Sequence, residues 1–195
     1  MKTKLNLLFA GASALAVGLF LSAGCASQTA TTSSTAPVVV VATPSAAPPA
    51  ALSTSKVALK LVRVDSEETA GEDGKGANAV DGDPNTFWHT QWQDANPEPP
   101  HEIVIELTPP ATIKGFTYLP RQDEGENGTV KGYEFYVSND GQDFGQPVAK
   151  GELENSKSLK TVTFAPQACR FVKLKALSEI NGAAWTSAAE IGVVQ

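Results

Sequence analysis

Cysteine is nearly absent from this chain. There are two in 195 residues, Cys25 and Cys169, and Cys25 ends an apolar leader. Cys169 is then alone, so the globular part must stand without a disulfide, on its packed core or on a metal. Positive charge is also scarce: 15 Lys and Arg against 21 Asp and Glu give a net charge of −6. Loss of the leader removes Lys2 and Lys4 and takes the charge to −8. That balance speaks against nucleic acid and anionic lipid surfaces as partners. No segment sustains a helical period of apolar residues, which speaks against a helical bundle. No nucleophile motif is present, and the globular part, Val57 to Gln195, has 139 residues. A glycosidase barrel takes about 250, so the chain is read as a non-enzyme.

What is present begins with the leader. Lys2 and Lys4 precede an uncharged apolar run, Leu5 to Leu21, and small residues follow up to Cys25. This is the layout of a signal peptide over residues 1–24; an uncleaved membrane anchor is the alternative. Leu21-Ser22-Ala23-Gly24-Cys25 resembles a bacterial lipobox, with Ser22 where Leu is commonest. The resemblance implies that Cys25 is lipidated and becomes the first mature residue. Each buried methylene of its acyl chains would contribute about 0.8 kcal/mol of membrane attachment. Ala26, rather than Asp, follows Cys25. The expected location is therefore the cell envelope, at the outer membrane in a Gram-negative host, on its periplasmic or surface face. Residues 26–55 are almost all Ala, Ser, Thr, Pro and Val without a charge, within a linker taken as 25–56. Such a composition cannot form a core and is read as a disordered linker.

From Val57 onward the pattern has period two. "HEIVIELT" puts Ile103, Ile105 and Leu107 on one face, and "GYEFYVSND" does the same with Tyr133, Phe135 and Val137. "VALKLVRV", "KTVTF", "RFVKLKAL" and "AEIGVV" are the other runs. Asn127-Gly128, Asp140-Gly141 and Pro109-Pro110 read as turns between them. Short alternating strands with turns at this spacing predict an all-β sandwich or jelly roll over residues 57–195.

Four blocks in order, "NAVDGDPNTFWHTQW", "FTYLPRQD", "GYEFYVSNDGQDFG" and "RFVKLKALSEINGAAWTSAAEI", resemble the coagulation factor 5/8 C-terminal type, or discoidin, domain. The nearer likeness is to its bacterial branch, the family 32 carbohydrate-binding modules. The resemblance implies a galactose-binding-like jelly-roll sandwich holding a structural calcium ion. The implied ligands are the carbonyls of Asn78, Asp83 and Ala189, the carboxylates of Asp81 and Glu190, and an oxygen of Thr86. A hard cation of this kind takes six to eight oxygens, backbone carbonyls among them. The plainer alternative is that Asp81, Gly82, Asp83 and Pro84 only make a good turn.

The resemblance also implies a sugar site. Galactose and N-acetylgalactosamine carry an axial 4-hydroxyl, and the expected donors to it are His89 and Arg121. Asn127 is expected on a neighbouring hydroxyl, although "RQDEGEN" has one residue more than the family spacing. Trp92 and Trp185 are expected to stack on the ring, with Trp185 exposed in its polar loop, and Glu72 matches an acidic ligand position. Each has a plainer reading: a satisfied loop histidine, a surface pair of Arg121 with Asp123 or Glu124, a tryptophan packed under its loop. Trp88 is assigned to the core by strand alternation, Cys169 to a buried strand position, and His101 to no role. The functional expectation is a lipid-anchored, non-catalytic binder of terminal galactose-type sugars, working with a separately encoded glycosidase. A protein–protein adhesion or assembly domain on the same fold is the alternative.

Overall fold

The computed structural model of the protein describes residues 57–195. The expectations for the signal peptide, Cys25 and the linker lie outside the described residues. Within them the chain forms β1 (Ala58–Val64), β2 (Trp88–His89), β3 (His101–Leu119), β4 (Gly132–Ser138), β5 (Ala149–Glu152), β6 (Lys160–Ala176), β7 (Ser187–Ala188) and β8 (Glu190–Val194). The one helical piece described is a 3-10 turn, Gly76–Val80. The period-two pattern is what builds this. Ile103, Ile105, Leu107, Tyr133 and Phe135 are all buried, and Val137 packs against them.

Six strands share one antiparallel network in the order β1-β3-β6-β4-β5, with β8 also on β3, while β2 and β7 pair separately. β3 is the spine. Its first half pairs with β1, from Val64↔Ile103 to Ala58↔Thr108, and its second half with β8, from Gly115↔Val194 to Leu119↔Glu190. Against β6 its register breaks between Glu106 and Ala111 and again between Ile113 and Gly115. Such irregularities bend a strand and let it serve both layers of a sandwich. The result is the all-β jelly-roll sandwich expected from the alternation.

Two details differ from the sequence reading. Pro109-Pro110 is not a turn, since β3 runs straight through it. Proline has no N–H to give a ladder, and the pair sits in the register gap after Glu106, where no ladder bond is asked of it. "KTVTF" and "RFVKLKAL" are not separate strands either; they are the two ends of β6. By contrast, Gly128 and Gly141 have φ of 83° and 74°, the left-handed backbone that those two turns demand.

The core centres on Phe116, stacked on Phe135 at 4.2 Å and edge-on to Tyr133 at 5.4 Å. Trp88 is buried and gives its Nε1 proton to the Ser66 carbonyl at 2.8 Å. Cys169 is buried in β6, and burial pushes its thiol up to about 11, so it stays an inert filler. β2 then positions the site. Alternation turns Trp88 inward and His89 outward, while Trp88↔Ala188 and His89↔Ser187 pairing brings this segment beside the chain's last loop.

Candidate ligand-binding pocket

A pocket of about 230 Å³ is lined by Glu72, His89, Trp92, Arg121, Asn127 and Trp185. They come from four segments: the loop after β1, β2 with its following loop, the β3–β4 loop, and the loop before β7. The volume lies below the 300–1,000 Å³ of sites for drug-sized ligands, so it suits one small ring.

The first wall is built on a residue that the sequence reading passed over, Glu68. Its side chain is completely enclosed. One carboxylate oxygen accepts the N–H groups of Ala70 and Gly71 at 2.7 and 2.9 Å, and the other accepts those of Trp92 and Gln93, both at 2.8 Å. These bonds, Gly71 first and then Trp92 and Gln93, hold the carboxyl down to about 2 against the opposing effect of burial. Glu68 therefore ties the loop carrying Glu72 to the loop carrying Trp92. Trp92 lies across Gly71, where an added Cβ would fall 2.5 Å from the indole, and its Nε1 donates to Glu72 Oε1 at 2.9 Å. The indole thus stands 38% exposed but fixed at both ends.

Arg121 forms the second wall and is 8% exposed. Its Nε and Nη2 donate to the two oxygens of Asp123 at 2.7 and 2.5 Å, and its guanidinium lies 4.1 Å over the Phe87 ring. Those bonds leave Nη1 for a further acceptor. The surface pair weighed in the sequence reading thus exists, yet it orients Arg121 in the pocket rather than removing it. The loop itself is wrapped round Lys157, whose ammonium donates to the carbonyls of Arg121, Asp123 and Gly125. Asn127 is held by β7: Ser187 Oγ donates to its carbonyl at 2.9 Å, and Ser187 N to that of Gly128 at 2.7 Å. A Cβ on Gly128 would meet Ser187 N at 2.6 Å, so this approach needs glycine.

His89 is buried, and its Nδ1 lies 2.7 Å from the Thr90 carbonyl. A carbonyl only accepts, so Nδ1 carries the proton and the neutral ring keeps a lone pair on Nε2. Burial, assisted by Arg121, lowers the pKa of His89 against the opposing pull of Thr90 and Glu72, which keeps the ring neutral at pH 7. This corrects the donor role expected for His89: with Arg121 as a donor, His89 offers an acceptor. Trp185 lies 6.3 Å from His89 between ring centroids, tilted by 47°. It is half-buried rather than exposed as expected, because its loop folds back over β2. Its Nε1 is enclosed without a hydrogen-bond partner from the protein.

The segment expected to hold a metal forms a separate knot. Gly82 N donates to Glu190 Oε1 at 2.7 Å across 108 positions of sequence. Thr86 Oγ1 lies 2.7 Å from Asp81 Oδ2 and 3.0 Å from the Asp83 carbonyl. The Asp83 carboxylate is occupied by Asn85, whose N–H holds its pKa below the usual range. Asn78 braces the loop through bonds from Nδ2 to the Asp73 and Phe87 carbonyls, and Ala189 N donates to Leu119. Burial, together with the neighbouring carboxylates of Asp81 and Asp83, raises the pKa of Glu190. Among the described residues no three His, Cys, Asp or Glu side chains converge into a metal-holding group. A cation here would draw on two carboxylates, a hydroxyl and backbone carbonyls. That donor set is hard and oxygen-only, and the mutual repulsion of Glu190 and Asp81 is the kind a cation relieves.

Antiparallel layers with a pocket built from loops make this molecule a β-sandwich, and its likeness to solved family 32 modules places it in the galactose-binding-like class. Within that class the chain belongs to the F5/8 type C domain family, which matches residues 63–191. A sialidase of Micromonospora viridifaciens is 40% identical over 136 residues, covering 69% of this chain and 21% of the sialidase. A galactose oxidase of Gibberella zeae is 39% identical over 135 residues, covering 69% of this chain and 19% of the oxidase. This chain therefore spans about a fifth of the length of those enzymes. Among solved structures, CpGH89CBM32-5 from Clostridium perfringens, in complex with GalNAc-β-1,3-galactose, is 36% identical with a TM-score of 0.64. The match covers 72% of this chain and 100% of that one. The family 32 module of Clostridium perfringens NanJ, in complex with galactose, is 29% identical with a TM-score of 0.59, over 69% and 92% of the two chains.

Proposed function

We propose that residues 57–195 bind terminal galactose-type sugars, galactose or N-acetylgalactosamine, without altering them. The observation that carries this reading is the pairing of a buried cationic donor, Arg121, with a buried neutral acceptor, His89, in one pocket flanked by two indoles. An axial 4-hydroxyl both accepts and donates a hydrogen bond. Arg121 Nη1 donates to its oxygen, and His89 Nε2 accepts the hydrogen bond from its O–H. Trp92 or Trp185 covers the apolar face of the ring, and Asn127 and Glu72 serve the neighbouring hydroxyls. The solved relatives in complex with GalNAc-β-1,3-galactose and with galactose support the same ligand class.

The acids support a non-catalytic role. Glycosidases commonly use two carboxyl groups flanking the scissile bond. Among the described residues Glu72 is the one carboxylate lining the pocket; Glu68 is consumed by four N–H groups and Asp123 by Arg121.

Calcium, in this reading, is held by the carboxylates of Asp81 and Glu190, by Thr86, and by the carbonyls of Asn78, Asp83 and Ala189. It supplies positive charge between acids that otherwise repel. Cys25 is lipidated, residues 26–56 tether the domain, and the protein holds glycans near the envelope for a separately encoded glycosidase.

Calorimetric or NMR titration tests the sugar reading. A single shallow site should give a Kd near millimolar, about −4 kcal/mol, for galactose or N-acetylgalactosamine and much weaker binding for glucose. Arg121→Ala should weaken binding by about 1–3 kcal/mol. Absence of binding at tens of millimolar of either sugar, or normal binding by Arg121→Ala, overturns the reading in favour of a protein partner.

A further inference from the structure

His101, the first residue of β3, has no place in the pocket, yet it is fully buried. Both ring nitrogens face acceptors. Nδ1 lies 2.8 Å from Asp65 Oδ2, and Nε2 lies 2.8 Å from the Ala184 carbonyl. A carboxylate and a carbonyl have no proton to give, so both bonds are made together only when each nitrogen carries one. Ala184 immediately precedes Trp185 in the chain, and Asp65 follows the end of β1. The ring therefore bolts the Trp185 loop to the sheet.

We propose that His101 is a buried imidazolium that positions Trp185 in the sugar pocket, so that sugar affinity falls at alkaline pH when the ring gives up one proton to solvent. The proposal rests on the galactose-type reading for its effect on affinity. Its structural half, the link from His101 to Trp185, stands apart from that reading.

The electrostatic surroundings are consistent with this. Burial alone works against the charged ring, but the Asp65 hydrogen bond and the Ala184 and Pro97 carbonyls outweigh it and hold the pKa above the usual histidine value. Asp65 is the charged group in contact, and its other oxygen accepts the Glu102 N–H at 2.7 Å. Glu102, next along β3, is engaged by Lys173 at 3.3 Å, Arg63 at 3.8 Å and Lys175 at 3.9 Å. On the Trp185 loop, Glu179 spends its carboxylate on Asn181 N and Ala183 N. On the segment carrying Pro97, Asp94 and Glu98 are exposed. Opposite His101 on β6 stands Ala176. The proton on His101 thus answers mainly to Asp65.

The linkage has a definite sign. A histidine whose pKa is raised by folding contributes stability below its unfolded value near 6.5, and that contribution is lost as pH rises through the folded value. Once the ring is neutral, one of its two bonds sets nitrogen lone pair against oxygen lone pair. Either the Asp65 bond or the Ala184 bond must open, and the Trp185 loop loses a fixed point.

The test is a pH series from 5 to 10 on the full chain, following the His101 ring nitrogens and the Trp185 indole by ¹⁵N NMR without sugar, and galactose affinity in parallel. The expected result is a doubly protonated His101 at pH 7 and an indole signal that moves with the same midpoint as His101. Affinity should then drop severalfold above that midpoint. Asp65→Asn keeps the hydrogen-bonding shape but removes the charge, and should move the midpoint down by about one to three pH units. His101→Gln retains a donor for Ala184 without titrating, and should lack the alkaline limb. A singly protonated His101 at pH 7, an indole that ignores the His101 titration, or an alkaline limb that survives in His101→Gln overturns the proposal. If neither sugar binds, the galactose reading falls, and the indole titration still decides the clamp. If sugar binds but the indole does not follow His101, the clamp alone falls.

Discussion

Two glutamates, Glu68 and Glu190, each join a loop to a distant part of the chain, and their electrostatic situations are opposite. Glu68 is wholly enclosed and accepts four backbone N–H groups from two loops, which hold its carboxyl down to about 2. Glu190 accepts one, from Gly82, while burial and the adjacent Asp81 raise its pKa. Backbone N–H groups are fixed dipoles that the fold itself delivers, so the wall of the pocket is complete within the chain. The loop of residues 78–86 instead sets Asp81 and Asp83 beside Glu190, acids that repel one another, and the calcium proposed above would relieve that repulsion. The same side chain is a finished staple in one region and, in the other, part of the proposed cation site.

The widest break in this comparison comes at Glu68. Glu68→Ala strands four N–H groups at once, and an unmet buried donor is the expensive outcome. We expect it to lose more stability than any other variant named here, read as a fall in the denaturation midpoint, with sugar binding lost alongside. The pH response has a sign. A glutamate with a depressed pKa contributes stability above its unfolded value of 4.5, and that contribution is lost as pH falls through about 2. The wild-type protein should weaken across that interval, and Glu68→Ala should lack this part of the decline. Second in size is removal of calcium. Selective binding to the native state is worth about 2.7 kcal/mol at a hundredfold excess over Kd. A chelator should lower the melting temperature of the wild type, while Glu190→Ala should start low and respond little. Equal melting of wild type with calcium and with chelator would erase the proposed contrast between the two glutamates. Smallest is Gly71→Ala. The new methyl would meet the Trp92 ring at 2.5 and 2.6 Å and displace it. A shift costing about 1 kcal/mol corresponds to roughly a fivefold loss of affinity, measurable by titration with little change in melting.

Much of the fold was legible in the sequence because it rests on local rules. The alternation of Ile103, Ile105 and Leu107, and of Tyr133 and Phe135, gave the inward faces, and Gly128 and Gly141 marked left-handed turns. Pro109-Pro110 misled because its effect depends on whether a partner strand asks for its missing N–H, which local sequence does not state. The six pocket residues were gathered by resemblance, and the structure lines one pocket with them. Glu68 was missed because "DSEET" looks like a solvated acidic run. Its burial is decided by N–H groups arriving from residues 92 and 93, far along the chain. His101 did leave a trace. It falls in the same period-two register as Ile103 and Ile105, and a histidine on a core-facing position must find a partner for each nitrogen. The protonation of His89 was beyond any sequence pattern, since it depends on a carbonyl 2.7 Å from one ring atom.

The antiparallel seating of β1 on β3 also has a mechanical side. The chain enters the described domain at Val57, while the loop carrying Glu68 and Glu72 leaves β1 past Val64. The two ends of the strand are about 20 Å apart, six steps of about 3.3 Å between its seven residues. On the proposed function, a pull between a captured glycan and the chain before Val57 would run lengthwise along β1. Its pairing with β3, from Ala58↔Thr108 to Val64↔Ile103, would then bear the load side by side in shear, instead of parting one bond after another as in a peeled edge.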